Sequence, residues 1–551
     1  MFKFKALTKQ WALALIALMM LLSACSSKQI EQTNNTVSSS NQSSNDKIVS
    51  TAANYNIDEQ PSVVYYEIFV RAFYDSDGDG IGDFNGVTEK LDYLADLGIG
   101  GIWLMPINES PSYHGYDTTD YYAVNSDYGT LDDFKNLISE AHKRNIKVIM
   151  DLVVNHSSKE HPWFKSAISD ASSPYRDWYT IVSADEKFPV DGAVGQNPWH
   201  KYGSLKYLGI FWEGMPDLNF DNPDVRAEMI NIGKYWLEQG VDGFRLDAAK
   251  HIYGDFTSTV SSQDIQDKNK QWWQEFRSGL NEVNTEAYLI GEVWDSVTII
   301  APYFDQALDS AFHFDLADRL LGIAASEQDS NLAFSLRRAY GAYEKASQGQ
   351  FLDAPFLSNH DQNRVMTVLN NNVDHAKMAA SLLLTLPGTP YIYYGEEIGM
   401  KGAKPDEYIR EPMIWYADAK GGEGQTTWIQ SRHNKEAGAV SVEAQQDDEH
   451  SLLYRYKQLM SWRNEQQALR DGGIDEYKLS NSSEGLSSYL RVTTNDRVLV
   501  VHNLTAQTLS TELQPSDVYG EFTEIIKTTD KQASLNGIEL TVPPYTTVII
   551  K

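Results

Sequence analysis

GVDGFRLDAAKH, residues 240–251, reads as a buried strand that ends in charge. Parallel strands covered on both faces run apolar, and charged side chains are almost never fully buried unless paired. Arg245 and Asp247 stand two residues apart, so they project from one face of the strand. Lys250 and His251 follow directly. A buried strand that delivers Arg, Asp, Lys and His at its end asks which architecture collects such ends at one place.

The flanking sequence supplies the repeat. Short apolar segments alternate with helical patterns: SVVYYEIF (62–69), GIWLMP (101–106), KVIMDLVVNH (147–156), VDGFRLDA (241–248), AYLIGEVW (287–294), LDSAFHF (308–314), APFLSNHD (354–361) and PYIYYGEE (390–397). Between them lie VTEKLDYLADLG, with Val87, Leu91, Leu94 and Leu97 at helical spacing, TLDDFKNLISEAHKRN and NPDVRAEMINIGKYWLEQG. Eight strands with helices between them predict an α/β fold, a (β/α)8 barrel. An open doubly wound sheet is the alternative, and no G-x-G-x-x-G fingerprint supports it.

The rest of the chain divides around that barrel. Residues 1–24 are expected to be a signal peptide: Lys3, Lys5 and Lys9 precede an apolar run, residues 11–22, that is too short to span a membrane. It closes in Leu22-Ser23-Ala24-Cys25, which resembles a bacterial lipobox with Cys25 lipidated; an ordinary signal peptide cleaved near Ala24 is the alternative. Cys25 is the chain's one cysteine, so no intrachain disulfide is possible. Residues 25–56 are rich in Ser, Asn and Gln and read as a flexible tether. The barrel is expected over 57–156 and 218–464, with an inserted small domain at 157–217 and a C-terminal antiparallel β-domain at 465–551. The expected address is the outer face of a bacterial cell membrane, with the membrane surface as partner through the lipid. A net charge of −30 disfavours nucleic acid as a partner. Nothing in the sequence sets an oligomeric state.

In a barrel of this kind the chemistry sits at the C-terminal ends of the strands. Asp151, Asn155 and His156 follow the third strand; Arg245, Asp247, Lys250 and His251 the fourth; Glu292 the fifth; His360 and Asp361 the seventh. Two carboxyls flanking a glycosidic bond are the minimum for its hydrolysis: one attacks or stabilises, the other protonates the leaving oxygen. Arg245 is expected to hold Asp247 ionised. Glu292 needs a raised pKa to carry a proton, and nearby carboxylates are expected to supply it.

A second motif is DSDGDGIGD, 75–83. Asp75, Asp77 and Asp79 stand at positions 1, 3 and 5 of a calcium loop, Gly80 at the sharp turn, the Ile81 carbonyl at 7 and Asp83 at 9. Position 12 is Gly86, where an EF-hand has glutamate, and a strand is expected before the loop. The expectation is a Ca²⁺ loop without an EF-hand; a solvated acidic turn is the rival.

DLVVNH, GFRLDAAKH, GEVW and FLSNHD, in this order, resemble the four conserved regions of glycoside hydrolase family 13, the α-amylase family. MPDLNF (215–220) is similar to its fifth region in the α-amylases that lie between oligo-1,6-glucosidases and neopullulanases. The resemblance covers about 60–551. It implies that Asp247 is the nucleophile, Glu292 the general acid/base and Asp361 the third carboxylate. It implies that Arg245 positions the nucleophile, that His156 and His360 bind hydroxyls of the reacting glucose, that Tyr116 stacks on that ring, and that Lys250 and His251 line the leaving-group side. Read alone, Tyr116 is a core residue and His156 a loop cap. Asp151 has a structural role in the family and is left outside the catalytic set. A second calcium site, as in many α-amylases, would use Asn155, Asp217 and the His251 carbonyl. Ala248 follows the nucleophile; in relatives that prefer α-1,6 bonds this position resembles valine. The expected activity is retaining hydrolysis of α-glucans, mainly α-1,4 bonds of starch and maltooligosaccharides. A glucanotransferase, an oligo-1,6-glucosidase or a neopullulanase-like enzyme would use the same residues. A non-catalytic glycan-binding member is disfavoured, because all three carboxylates are present.

Overall fold

A computed structural model describes residues 60, 62–188, 197–254, 262–418, 420–435, 438–480 and 484–551. Cys25 and the tether lie outside the described residues.

Eight parallel strands form the centre: β1 Tyr65–Ile68, β2 Gly101–Leu104, β3 Lys147–Leu152, β4 Gly243–Leu246, β5 Tyr288–Gly291, β6 Ser310–Phe312, β7 Leu352–Ala354 and β8 Tyr391–Tyr393. From β1 to β7 each pairs with the next in chain order, and β1 pairs with β8. A parallel bridge between Phe356 and Tyr391 joins the seventh strand's continuation to β8 and closes the barrel.

The period of two along each strand sorts its interior. Tyr65, Ile149, Ile290, Phe312 and Tyr391 form a buried apolar cluster with Trp103 and Ala354. Two residues beyond Tyr65 and Ile149 on the same strands come Glu67 and Asp151, both buried. Arg245 is in register with Asp151 on β3 and with Ile290 on β5. The barrel is thus filled by aromatic and aliphatic side chains below and by charged ones near its C-terminal end, as the alternation of side chains requires.

The helices form where sequence punctuation starts and stops them. Leu131–Lys143 opens with a capping box between Thr130 and Asp133. Pro223–Gln239 opens on Asn222, with Pro at its first turn, and ends on Gly240 in the left-handed region. The helix expected around 87–97 is two helices, Phe84–Glu89 and Leu91–Leu97, broken at Lys90.

The strands are shorter than their sequence segments. Residues 357–361 leave the ladder beyond the Phe356 bridge, and residues 153–156 leave it after β3. Consecutive residues of a strand face opposite ways. A strand could not bring both His360 and Asp361 to one site; a loop can.

Between β3 and β4 the chain builds the helix Pro162–Ser169 and a three-stranded antiparallel sheet, Ile181–Ser183, Trp199–Tyr202 and Leu205–Leu208, over a small cluster of Trp199, Leu208 and Ile210. After the helix Leu452–Glu465 and a shorter one, Gln467–Asp471, the chain becomes antiparallel sheet from Gly473 onward, in a five-stranded and a three-stranded layer with their own apolar cluster.

Candidate active site

Arg245 is the hub. Its Nη1 donates to Asp247 Oδ1 (2.7 Å) and to both oxygens of Asp151 (3.0 Å each). Its Nη2 pairs with Glu292 Oε2 (2.8 Å). The guanidinium carbon lies 5.2 Å from the centre of the Trp103 ring. Only 1 % of the side chain is exposed, which a guanidinium tolerates because three carboxyls surround it. The carboxyls of Asp247 and Glu292 therefore sit on the two amino nitrogens of one side chain.

The loop after Glu292 is tied down from the β4 side. Lys250 Nζ donates to the Trp294 carbonyl (2.7 Å) and to Asp295 Oδ2 (3.0 Å). The Ala248 N–H donates to Glu292 Oε2 (3.0 Å). The His251 ring meets Phe211 of the insert edge-on, at 5.7 Å.

A second group gathers around His360. Tyr116 OH donates to Asp151 Oδ2 (3.1 Å) and lies 2.6 Å from His360 Nε2. The two rings stack at 5.6 Å, so the half-buried Tyr116 packs against the site as well as facing it. Gly115, at φ 80°, permits the turn that delivers this tyrosine; a Cβ there would meet Pro106 at 2.9 Å. Asp361 Oδ2 is 3.1 Å from His360 Nε2, and Asp361 Oδ1 accepts from Arg410 Nη2 (2.9 Å).

The carboxyls are not alike. Burial pushes Asp247 up, and Arg245 only partly offsets it. Arg245, expected to hold Asp247 ionised, does act in that direction, through its charge and its hydrogen bond, against the larger effect of burial. Glu292 is also raised, first by burial; Asp247 and Asp361 add to it, against the pull of Arg245. The neighbouring carboxylates expected to raise it are the secondary cause. Asp361 is the opposite case. Burial opposes its charge, but His360 and Arg410 hold it far below the usual carboxylate range. Asp151 is pushed up to about 7 by burial despite Arg245.

His156 has both ring nitrogens against acceptors: Nε2 is 3.0 Å from the Tyr116 carbonyl and Nδ1 3.1 Å from Asn155 Oδ1. Burial lowers its pKa to about 4, so the ring is neutral near pH 7 and has a single N–H. Asn155 Nδ2 in turn donates to the His251 carbonyl (2.7 Å). The main chains of Asp217 and His156 lie side by side in a short antiparallel pairing; Asp217 Oδ1 accepts from the Ile210 N–H (3.2 Å), and burial raises its carboxyl to about 8.

The acidic loop lies apart from this group in the sequence. Asp75, Asp77 and Asp83 bring ligand oxygens within 4.8 Å of one another. Asp79 does not join them; its Oδ1 accepts from the Ile81 N–H (2.7 Å). Asp75 Oδ2 accepts from the Gly80 N–H (2.8 Å), with Gly80 at φ 94° in the turn. A short helix, Val70–Phe73, separates β1 from the loop, where the sequence predicts a strand. Asp83 also caps the helix that follows, accepting from Gly86 N.

Sequence reasoning misses three participants. Asp151, left outside the catalytic set, is a central partner of Arg245. Glu67 carries the same signal as Arg245, a charge inside an apolar strand. Arg410 lies in the irregular segment after β8, where no periodicity marks it.

The family model for the α-amylase catalytic domain matches residues 67–472, and that for the C-terminal domain of the α-amylase SusG matches 486–549. The chain is 44% identical over 504 residues to α-amylase 3 of Dictyoglomus thermophilum, covering 90% of this chain and 94% of the relative. It is 33% identical over 450 residues to a 4-α-glucanotransferase of Thermotoga neapolitana, covering 80% and 96%. Among solved structures, an α-amylase from H. orenii superposes with a TM-score of 0.80 at 43% identity, covering 89% of this chain and 99% of that one. A barrel with three carboxyls at its mouth and this extent of likeness leave one assignment: the chain belongs to the α-amylase family of glycoside hydrolases.

Proposed function

We propose that the protein is a retaining α-glucan hydrolase that cleaves mainly α-1,4 bonds in starch and maltooligosaccharides. The observation that carries the reading is the pair of carboxyls, Asp247 and Glu292, held on one guanidinium. Asp247 attacks the anomeric carbon while Glu292 gives its proton to the departing glycosidic oxygen. Water then attacks the glycosyl ester, Glu292 takes its proton, and Asp247 is released. A retaining reaction needs the two groups about 5 Å apart, which one shared side chain favours. A raised Glu292 suits the acid role. Asp361, kept ionised, faces the positive charge that develops on the sugar. Tyr116, His156 and His360 bind the reacting glucose, and Lys250 and His251 border the leaving group.

Calcium fits both candidate sites by their donor chemistry. Asp75, Asp77 and Asp83, with the Ile81 carbonyl, would hold one ion, and Asp79 would have to turn from the Ile81 N–H to join them; three converging carboxylates repel without a cation. At the second, His156 argues for an ion. A neutral ring cannot donate to both Tyr116 O and Asn155 Oδ1. Turning the Asn155 amide over, an assignment that rests on the hydrogen-bond network, gives His156 its donor and leaves Asn155 Oδ1 facing the His251 carbonyl. Two acceptors so close call for a cation, with Asp217 as the proposed charged ligand.

Cys25 is proposed as the lipid attachment that holds the enzyme at the outer face of the membrane. Transfer to a second sugar uses the same residues, and the relative from Thermotoga neapolitana bears that activity in its name. Chromatography of maltotriose digests tests the reading. Glucose and maltose with retained anomeric configuration support hydrolysis; products longer than maltotriose indicate transfer; no turnover defeats the proposal.

A further inference from the structure

Glu67 has no role in the chemistry described so far. It stands on β1 at the inner end of a chain of contacts, 1 % exposed, inside an otherwise apolar strand. Its Oε1 meets His360 Nδ1 at 2.5 Å and the His360 main-chain N–H at 3.4 Å. A buried carboxylate is costly unless something holds it, so this placement needs a reason.

The hydrogens around His360 can be counted. Tyr116 has one O–H, and it goes to Asp151 Oδ2, an acceptor because both Asp151 oxygens also take hydrogen bonds from Arg245. Its oxygen therefore accepts from His360 Nε2 at 2.6 Å. Asp361 Oδ2, 3.1 Å from the same nitrogen, can only accept as well. Nε2 thus carries a hydrogen. Nδ1 faces Glu67, an acceptor when ionised. The ring donates on both sides and is an imidazolium.

We propose that Glu67 is a positioning residue for the reaction: from behind His360 it binds the Nδ1–H and keeps the ring doubly protonated, so that Nε2–H is always presented to Asp361 and to the hydroxyls of the reacting sugar. This rests on the reading of the site as one that binds glucose at His360. Asp361 then owes its ionised state in part to a residue on the far side of the ring.

The charges around the ring agree with this. Glu67 reaches it from β1, Asp151 from β3, Asp247 from β4, and Asp361 from its own loop; Trp103 packs edge-on at 5.5 Å. Arg410 holds the His360 carbonyl, through Nε at 3.0 Å, and Asp361, through Nη2 at 2.9 Å, and makes no hydrogen bond to the ring. Burial opposes the ring's charge, yet Asp361 and Glu67 raise its pKa to about 9. The raised value means that the doubly protonated ring persists below about 9 and is lost as pH rises through it.

Glu67→Gln separates charge from shape, since glutamine can still accept from Nδ1–H but carries no charge. Maltotriose affinity is measured from pH 6 to 10 in a Glu292→Gln background, which removes turnover and the titration of Glu292. Histidine ring ¹⁵N spectra are recorded alongside, with the His360 signal assigned by His360→Gln. The expected result with Glu67 present is an affinity that falls above about pH 9. In the Glu67→Gln protein the fall should begin about one pH unit or more lower, because the charge that favours the protonated ring is gone. The ring signal should move by the same amount. Superimposed affinity limbs and an unmoved ring signal overturn the proposal. Should maltotriose not bind at all, the glucan reading fails, while the ring spectra still decide whether Glu67 sets the state of His360. Glu67→Met, which loses both charge and acceptor, should cost about tenfold more affinity than Glu67→Gln; equal losses would reduce Glu67 to packing.

Discussion

The main-chain N–H of Ala248 donates to Oε2 of Glu292 over 3.0 Å, and Ala248 itself sits at φ 49°. The residue after Asp247, the proposed nucleophile, therefore holds Glu292, the proposed proton donor. It does so from the left-handed region, which non-glycine residues seldom occupy. Such a conformation costs on the order of 1–3 kcal/mol and persists only where the surroundings fix it. Here Arg245 fixes both neighbours of Ala248, its chain neighbour Asp247 and its hydrogen-bond partner Glu292, by pairing with each.

The chemistry gives the first expectation. Asp247→Asn and Glu292→Gln should each fold with an unchanged far-ultraviolet spectrum and lose activity on maltotriose on the order of 10⁴-fold or more. The two defects differ in kind. A sugar fluoride needs no proton on its leaving group, so Glu292→Gln should retain much of its first step on α-maltosyl fluoride while Asp247→Asn does not. Wild-type-like turnover by Asp247→Asn would sink the mechanism.

Calcium gives the second. Chelation should lower the melting temperature by about 5 °C or more, because an ion that binds only the folded chain stabilises it. Asp77→Ala with Asp79→Ala should remove the part of that effect due to the acidic loop. Asn155→Ala should remove the rest. An unchanged melting temperature in EDTA, with no metal found by elemental analysis, would dismiss both sites.

How much of this is legible in the sequence depends on which physical signal each residue carries. Arg245 and Asp247 are visible because charge in a buried strand is anomalous, and the alternation of strands and helices places them at a barrel mouth. Glu67 carries that same anomaly in YYEIF, but no second charge two residues away draws attention to it. Arg410 cannot be found that way: it lies in a segment without period, and its partner Asp361 is 49 residues distant. Electrostatics are the least legible. Whether Arg245 or burial governs Asp247 is a contest between two large opposing effects, and only the three-dimensional surroundings decide it.

The third expectation concerns pH and stability. Glu396 and Glu397 are buried beyond β8, held by hydroxyls: Tyr456 on Glu396 (2.8 Å), Tyr66 and Tyr93 on Glu397 (2.7 Å each). Burial raises Glu396 to about 8. A carboxyl raised on folding favours the folded state at low pH, and that contribution is lost as pH rises from about 4.5 to about 8. The loss is at most ~1.4 kcal/mol per pH unit. Glu396→Gln should flatten the fall of melting temperature over that window. If mutant and wild type fall in parallel, Glu396 is not the group responsible.

The fourth concerns address. Cys25→Ala should move the protein from the membrane fraction to the soluble one, since among the described residues no helix is long and apolar enough to cross a membrane. An acyl chain contributes about 0.8 kcal/mol per buried CH₂, and stable attachment takes more than one chain. Retention of the Cys25→Ala protein on membranes would contradict a lipid anchor.

The last concerns linkage, for which Ala248 is the proposed determinant. It follows Asp247 in the chain and donates to Glu292, which places it on the proposed path of the leaving-side sugar. A methyl leaves room for an α-1,4-linked ring. Valine is stiff at χ1 and narrows that space. Ala248→Val should lower the ratio of kcat/KM for maltotriose over isomaltose by about 10-fold, the scale of a methyl group in a pocket. The backbone adds a second consequence. At φ 49° a β-branched residue is strained, so Ala248→Val should also lose stability, by roughly 1–3 kcal/mol. Ala248→Gly separates the two effects: glycine relieves the strain and widens the space, so it should keep or raise the preference for maltotriose without loss of melting temperature. A wild type that cleaves isomaltose faster than maltotriose, or a valine variant with an unmoved ratio, would show that linkage is chosen elsewhere in the mouth.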